Sequence, residues 1–164
     1  MFDSKVVNLA DKHFDRATRA ILEALQQDNR LSNQALAERV GLSATPVWRR
    51  VRELEEAGVI RRHVALADRE KLGLSLAVLA HVSLLRHGEG AVEAFEAMVH
   101  ASPEIVECHA VTGAADYVIQ VVAPDMKAYD AFLQGKVFKV PGVASVRSDV
   151  VLREVKYETA LPVR

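Results

Sequence analysis

Residues 41–62 constrain the fold of this chain more than any other stretch of its sequence. They read GLSATPVWRRVRELEEAGVIRR. Ser43 is a favourable helix N-cap, Pro46 stands in the first turn, where a missing N–H costs nothing, and Gly58 is a typical helix stop. Together these signals predict a helix over about residues 44–57.

Two further helical patterns precede this helix. Apolar residues recur at helical spacing over residues 15–27, and a second helix is predicted over residues 33–40. Only Gly41 and Leu42 separate the second helix from the third. Three helices with so short a gap between the last two predict a helix-turn-helix domain over residues 14–58.

The predicted third helix has one apolar and one polar face. Val47, Val51 and Leu54 recur at helical spacing and are expected to face a core. The opposite face combines threonine and arginine, which hydrogen-bond base edges and phosphates, with a tryptophan that can pack on a sugar or a thymine methyl. A merely solvated charged face is the alternative interpretation. The predicted DNA-contacting residues are Ser43, Thr45, Pro46, Trp48, Arg49, Arg52, Arg61 and Arg62.

Three arginines near this helix need a separate interpretation. Arg50 lies beside the apolar stripe, so we expect it to pair with an acid of the first helix, Asp15, and to orient the third helix. Arg61 and Arg62 can either contact backbone phosphates or only solubilise a linker, and the sequence does not choose between these roles.

After residue 58 the pattern changes from helices to alternating strands and helices. The β-branched run 59–66 predicts a strand, and residues 59–73 are assigned to a strand and linker. Residues 74–155 predict the order β-α-β-β-α-β, with a last strand at 143–155, and residues 156–164 form a C-terminal tail. This order is that of a ferredoxin-like sandwich. The predicted fold class is therefore α+β, with a helix-turn-helix domain followed by a ferredoxin-like domain.

The distribution of charge along the chain indicates which part faces DNA. The net charge is −1, but residues 1–66 carry 11 Lys and Arg against 9 Asp and Glu, whereas residues 67–164 carry 10 against 13. This asymmetry places the DNA-facing surface toward the N-terminus.

The one cysteine, Cys108, cannot form an internal disulfide, and the apolar stretch 74–85 is too short for a membrane span. We therefore expect a cytoplasmic protein without membrane contact, with residues 1–13 as a partly disordered lead-in.

Several motifs carry a resemblance to a known family. They are Arg30-Leu31-Ser32-Asn33, Val40-Gly41-Leu42-Ser43, Arg50-Val51-Arg52-Glu53-Leu54-Glu55-Glu56-Ala57-Gly58-Val59-Ile60, Glu107-Cys108-His109, Thr112-Gly113-Ala114-Ala115-Asp116-Tyr117 and Pro141-Gly142-Val143. From about Phe14 onward the chain resembles the leucine-responsive and asparagine-type (Lrp/AsnC) family of bacterial and archaeal transcription regulators. The resemblance implies sequence-specific binding of double-stranded DNA, homodimers that assemble into tetramers or octamers, and promoter occupancy that responds to a small-molecule effector, commonly an amino acid.

The resemblance also implies an effector site. In such proteins the turn before an Asp-Tyr pair lies where dimers meet and effectors bind, which corresponds here to Gly113, Ala114, Ala115, Asp116 and Tyr117. The chain departs from the family at Ala114, where an acidic residue is frequent, and this removes a partner for a ligand's ammonium group. The identity of the effector therefore stays open. Asp116 can either bind an effector amine or cap a turn.

Other reactive side chains favour no catalytic, metal or cofactor role. In a strand Cys108 faces away from Glu107 and His109, so the three cannot share one metal ion, and Cys108 is expected to be a small buried residue. His81 is predicted to be a hydrogen-bonded interface residue, with a pH-sensing or ligand-contacting role as the alternative. We predict no enzyme activity. The alternatives are a siroheme-decarboxylase-like enzyme, which needs histidines and arginines around a large cavity, and a nucleoid-type architectural DNA-binding protein.

Overall fold

The computed structural model describes residues 14–85 and 90–163, so the predicted lead-in at residues 1–13 lies outside the described residues. The chain divides into two compact units. The first unit consists of the described residues up to Ala65 together with those from Lys156 onward. The second unit is Leu66–Val155.

Three helices form the first unit: α1 at Arg16–Gln27, α2 at Asn33–Val40 and α3 at Ala44–Glu56. Asp15 caps α1 by accepting a 2.7 Å hydrogen bond from a backbone N–H of the first turn. Gly41 has a φ of 71° between α2 and α3, and this left-handed conformation allows the tight turn. The predicted helix-turn-helix is confirmed, and α3 ends one residue before its predicted end.

The apolar stripes of these helices meet in one core. Ile21, Leu36 and Val47 are fully buried, and Leu54 is buried beside them. Val51 is partly buried against the same cluster. Because one face of α3 is buried in this way, its opposite face is left for solvent or a partner.

The predicted strand at residues 59–66 does not form. Val59 and Ile60 pack against the three-helix core, and their N–H groups both donate to the Leu54 carbonyl oxygen, at 2.9 and 3.1 Å. These bonds close the end of α3 after Gly58, which has a φ of 71°. Val59 and Ile60 are therefore partly buried residues at a helix end and not part of a paired strand, while Val64 is exposed. The residues up to Ala65 belong to the helical unit.

The predicted tail at residues 156–164 packs, as far as it is described, on the helices of the first unit. The Gln26 side-chain amide donates to the Leu161 carbonyl oxygen at 3.0 Å and accepts from the Leu161 N–H at 2.6 Å. Val163 adds an apolar contact to the three-helix core. This segment is therefore a structural part of the helical unit.

The second unit is a four-stranded antiparallel sheet with two helices. Its elements are β1 at Leu76–Leu84, α4 at Ala91–His100, β2 at Ile105–Ala110, β3 at Tyr117–Ala123, α5 at Met126–Gly135, a 3-10 turn at Val137–Lys139 and β4 at Val143–Val150. The strands pair in the order β2-β3-β1-β4, which confirms the predicted ferredoxin-like fold. Across the two described ranges, none of the helices has the length and apolar character that crossing a membrane requires.

The last strand is shorter than predicted. The sequence pattern predicts pairing through residue 155, but β4 ends at Val150. The Val151 N–H still donates to the Ala77 carbonyl oxygen at 3.0 Å. The register pairs Val78 with Val150, so Leu76, the first residue of β1, lies opposite residue 152, and β1 offers no backbone partner to residues 153–155.

The two faces of the sheet differ in what covers them. α4 and α5 cover one face, where Val78, Val82 and Ile119 are fully buried together with Phe95. Cys108 packs against this core, as predicted for a small apolar side chain, and burial raises the pKa of its thiol.

The face that α4 and α5 leave uncovered is called the open face below. It carries every second residue of each strand, among them Leu79, His81 and Ser83 of β1. The register places His81 opposite Arg147 of β4, and Ser83 opposite Ser145. Polar side chains from distant parts of the chain are thereby brought together on this face.

Candidate nucleic-acid interface and effector pocket

Four of the predicted DNA-contacting side chains form a ridge on α3. Thr45, Trp48, Arg49 and Arg52 are spaced three and four residues apart, which places them on one side of a helix. All four are exposed, and Trp48 exposes 49% of its surface. A tryptophan so exposed beside two arginines is suited to a planar or anionic partner. These four residues are called the α3 ridge.

Neighbours on the same helix hold the cationic side chains of the ridge. The Arg52 guanidinium lies 5.4 Å from the centre of the Trp48 ring, and its Nη2 lies 3.1 Å from Glu56 Oε1. Arg49 Nε lies 3.5 Å from Glu53 Oε1. The ridge therefore presents an aromatic surface flanked by two partly restrained cations.

Ser43 and Pro46 stand at the N-terminal end of the ridge helix. Ser43 occupies the N-cap position, yet its hydroxyl makes no capping hydrogen bond to the described residues of α3. The exposed hydroxyl and the positive end of the helix dipole suit a phosphate oxygen. Pro46 is half-buried in the first turn, where its missing N–H leaves no helical bond unmade.

Arg50 turns away from the ridge and pairs with α1, which confirms the predicted ion pair. Its Nη2 lies 2.8 Å from Asp15 Oδ2. The same carboxylate caps α1, and its hydrogen bonds from Thr18 and Arg50 hold the pKa of Asp15 well below its usual range. A single carboxylate thus fixes the start of α1 against the middle of α3 and orients the ridge.

Arg61 and Arg62 lie beyond the end of α3 and outside any helix or strand. Both side chains are exposed, and they directly follow Ile60, which packs on the three-helix core. The structure therefore holds their backbone close to the helical unit without placing them on the α3 ridge. Their contact with phosphates stays a prediction.

The open face carries a cavity of about 460 Å³ next to the loop between β2 and β3. A cavity of this size fits a small metabolite. It is called the open-face pocket, and its lining comes from β1, β3, β4 and the β2–β3 loop. The lining residues are His81, Ser83, Val111, Thr112, Ala114, Ala115, Val118, Ser145 and Arg147.

The five predicted effector residues are divided by the structure. Ala114 and Ala115 line the open-face pocket. Gly113 has a φ of 127° in the loop, a conformation that side chains rarely adopt. The Asp116 carboxylate accepts a 2.7 Å hydrogen bond from the Leu84 N–H, so it ties the β2–β3 loop to the end of β1.

Tyr117 is placed in the core and not in the pocket. Its ring lies 4.7 Å from that of Phe95, and its hydroxyl donates a 2.8 Å hydrogen bond to Glu96. Burial, assisted by Glu96, raises the pKa of Tyr117 to about 12. The predicted set is split in this way because successive strand residues point to opposite faces of the sheet.

Sequence reasoning missed the β4 side of the pocket. Ser145 and Arg147 follow the loop residues by some thirty positions, and only the β1–β4 register places them beside Ser83 and His81. The available signal was the alternation of polar residues within otherwise apolar strands. That alternation marks a shared face, but it does not state which strands are neighbours.

The lining of the pocket includes one cationic side chain, Arg147, that suits an acidic ligand group. Arg147 brings a guanidinium that is exposed and lies 3.6 Å from Asp149 Oδ2, while His81 Nε2 lies 3.0 Å from the same oxygen. Among the described residues the lining contains no Asp or Glu, and it includes the hydroxyls of Ser83 and Ser145. The Arg147 guanidinium, which lines the same pocket as these hydroxyls, can bind a carboxylate through charge-assisted hydrogen bonds.

The candidate metal ligands follow the predicted strand alternation. Glu107 and His109 lie on one face of β2, where Glu107 Oε2 is 3.4 Å from His109 Nε2, while Cys108 on the other face packs against the core. Within the described ranges, no three His, Cys, Asp or Glu side chains are grouped so as to hold a metal ion.

Family models of two domains match the chain. A model described as the Lrp/AsnC ligand binding domain matches residues 77–161, and one described as winged helix-turn-helix DNA-binding matches residues 14–61. The two matches correspond to the sheet-containing part and the helical part of the chain.

Similar proteins share both parts. The leucine-responsive regulatory protein of Salmonella typhimurium is 42% identical over 164 residues, covering 100% of this chain and 99% of that protein. Among solved structures, a Neisseria meningitidis transcriptional regulator in complex with L-methionine has a TM-score of 0.87 at 38% identity, covering 91% of this chain and 96% of the other. An AsnC family transcriptional regulator from Agrobacterium tumefaciens has a TM-score of 0.86 at 40% identity, covering 91% and 97%.

Proposed function

Because the chain belongs to the Lrp/AsnC family of DNA-binding transcription regulators, we propose that it reads double-stranded DNA with the α3 ridge and senses a small metabolite in the open-face pocket. The observation that carries the first part is the exposure of all four ridge side chains on a helix whose opposite side is buried. The observation that supports the second part is the pocket beside the loop at Ala114 and Ala115.

The chemistry of the ridge suits a major groove. A helix fits this groove, where arginine can hydrogen-bond guanine and threonine can contact base edges or a thymine methyl. The Trp48 ring can pack on sugars or thymine methyls, and the exposed Ser43 hydroxyl can anchor a phosphate at the helix start. Arg61 and Arg62 are proposed as further phosphate contacts. Sequence preference then comes from the ridge, and register on the duplex comes from the phosphates.

The test of DNA reading is a salt titration of Arg49→Ala and Arg52→Ala on a duplex that the wild-type protein selects from a random pool. Loss of a phosphate contact should lower the slope of log affinity against log salt by about one. Loss of a base contact should cost about 1–3 kcal/mol and relax the preference at one position. Lys127→Ala on α5 removes the same charge from the second unit and is the control. If both ridge variants bind as this control does, α3 does not read DNA.

We propose a ligand of the amino-acid class for the open-face pocket. The Neisseria relative was solved with L-methionine, and Arg147 with the hydroxyls of Ser83 and Ser145 provides a carboxylate-binding group here. Asp116 is not among the lining residues of the pocket, so we propose that backbone carbonyl oxygens or a partner chain bind the ammonium group of the ligand. The ligand would act by binding one assembly state more tightly than another and so shifting promoter occupancy.

We propose that two chains pair through the open face and that these homodimers assemble further into tetramers or octamers. The open face combines an exposed apolar side chain, Leu79, with the acids Glu107 and Asp149 and the bases His81 and Arg147. Opposite charges on one surface allow it to pair with its own copy about a two-fold axis. We propose that such a dimer offers two ridges to one duplex, on which successive major grooves lie about 34 Å apart.

A purely regulatory role without catalysis is the remaining part of the proposal, and we place it in the cytoplasm, where DNA is accessible. Siroheme-type chemistry needs several histidines around one cavity. His81 lines the open-face pocket, whereas His63 pairs with Glu55 in the other unit and His109 pairs with Glu107. A purely architectural DNA-binding protein would yield no preferred sequence from the random pool.

A further inference from the structure

The charges along α3 run against the usual electrostatics of a helix. A helix favours cations near its C-terminus, and an ion pair four residues apart is better with the acid preceding the base. In α3 the order is reversed, because Arg49 precedes Glu53 and Arg52 precedes Glu56, and the last turn holds acids and no base. Helix stability therefore does not account for these two glutamates.

The two glutamates instead engage the side chains that the proposed function assigns to DNA. Glu56 Oε1 lies 3.1 Å from Arg52 Nη2, and Glu53 Oε1 lies 3.5 Å from Arg49 Nε. All four side chains are 56–67% exposed, so a phosphate can reach the arginines and displace the carboxylates. Arg52 also keeps its contact with the Trp48 ring, which orients its guanidinium along the ridge.

We infer that Glu53 and Glu56 are specificity-determining residues that compete with DNA phosphates for Arg49 and Arg52. The inference rests on the proposed role of the α3 ridge. Non-specific binding depends almost entirely on phosphate neutralisation, so it carries the full cost of breaking both pairs and of bringing two carboxylates toward the backbone. A cognate site offsets this cost through base contacts made by the freed guanidinium groups. Weakening the wrong partner in this way is an established route to specificity.

The experiment compares Glu53→Gln, Glu56→Gln and the double variant on two duplexes. One duplex is selected from a random pool by the wild-type protein, and the other has the same composition in shuffled order. Each single variant should bind the shuffled duplex about two- to threefold more tightly, and the double variant about five- to tenfold, because exposed pairs of this type are weak. Affinity for the selected duplex should rise less, so the ratio of the two affinities should fall about threefold or more.

Two further variants separate this role from bulk charge and from fold stability. Glu23→Gln on α1 removes the same charge from an exposed site of the helical unit and should bind both duplexes as the wild type does. Glu56→Asp keeps the carboxylate and should keep most of the discrimination. The glutamine variants should melt at the wild-type temperature or above it, since acids at a helix C-terminus are unfavourable. Trp48 is the one tryptophan of the chain, so its fluorescence reports directly on the ridge.

The inference is overturned if the double variant binds the shuffled duplex as Glu23→Gln does, if both affinities rise equally, or if both fall together with the melting temperature. Failure of the proposed function has a different signature. In that case Arg49→Ala and Arg52→Ala leave binding unchanged, or the random pool yields no preferred duplex. If Arg49→Ala and Arg52→Ala weaken DNA binding but the glutamate variants bind both duplexes as the wild type does, the inference about Glu53 and Glu56 is refuted and the proposed function is not.

Discussion

At the scale of single residues, Asp15 makes two contacts that stabilise the helical unit. Its carboxylate caps α1 and binds Arg50 of α3. Because the folded-state pKa of Asp15 is depressed, its stabilisation is present at neutral pH and is lost as the pH falls below about 4 toward the folded-state pKa. We expect Asp15→Asn, which can still cap the helix, to lower the Tm at pH 7, with a difference from wild type that shrinks in acid. Circular dichroism melts from pH 7 to 2.5 measure this, and equal Tm values at pH 7 would contradict the role of the pair.

Gly142 is a second residue whose side chain is limited by its surroundings. Its φ is 89°, and a Cβ at this position would lie 2.5 Å from the Cβ of Ala91. Gly142→Ala should therefore destabilise the second unit by about 2–3 kcal/mol, through overpacking and a strained backbone. Gly135→Ala at the end of α5 is the control, because a Cβ there meets no atom within 4 Å, and it should be neutral or slightly stabilising. Urea denaturation compares the two, and similar stabilities would refute the proposed close approach to Ala91.

At the scale of elements, the C-terminal segment contributes to the helical unit through α1. Two hydrogen bonds join Gln26 to the Leu161 backbone, and Val163 packs on the core. Gln26→Ala should cost about 1–2 kcal/mol and should expose residues 156–163 to proteases. Gln34→Ala, an exposed change on α2, is the control. Denaturant melts and timed proteolysis test this prediction, and it is wrong if Gln26→Ala and its control behave alike.

At the scale of the whole molecule, a ligand of the open-face pocket should act on folding and assembly together. An amino acid that binds only the native state raises the unfolding free energy by about 2.7 kcal/mol at one hundred times its Kd. Arg147→Gln should raise the Kd of this ligand at least tenfold, because it removes the proposed carboxylate partner. Arg153→Gln, beyond the end of β4, should respond as the wild type does.

The measurement is a thermal-shift screen of the common amino acids, combined with light scattering to follow the size of the assembly. A ligand that shifts the assembly must bind its two states differently, so light scattering should show a change of mass at the concentration that shifts the Tm. An unchanged response of Arg147→Gln would place the ligand outside the open-face pocket.

Local signals in the sequence determined much of this fold. Asp15 and Ser32 cap α1 and α2 by accepting a hydrogen bond from the backbone N–H three residues ahead, and Gly41 makes the turn, so these local features form without distant partners. The same holds for the exposed ridge, because burial of one helix face dictates the opposite one. The pairing of Arg50 with Asp15 could also be predicted, since Arg50 lies at the edge of the buried stripe.

Tertiary structure decided what depends on a partner far away in sequence. Val59 and Ile60 have the composition of a strand, but they pack, partly buried, against the helical core. The last strand cannot pair through residue 155, because β1 begins at Leu76, which lies opposite residue 152. The register of β1 with β4 brought Arg147 to His81, and strand alternation turned Tyr117 into the core. These outcomes rest on which surfaces meet, and hydrophobic burial and strand pairing are satisfied only between segments that the fold has already brought together.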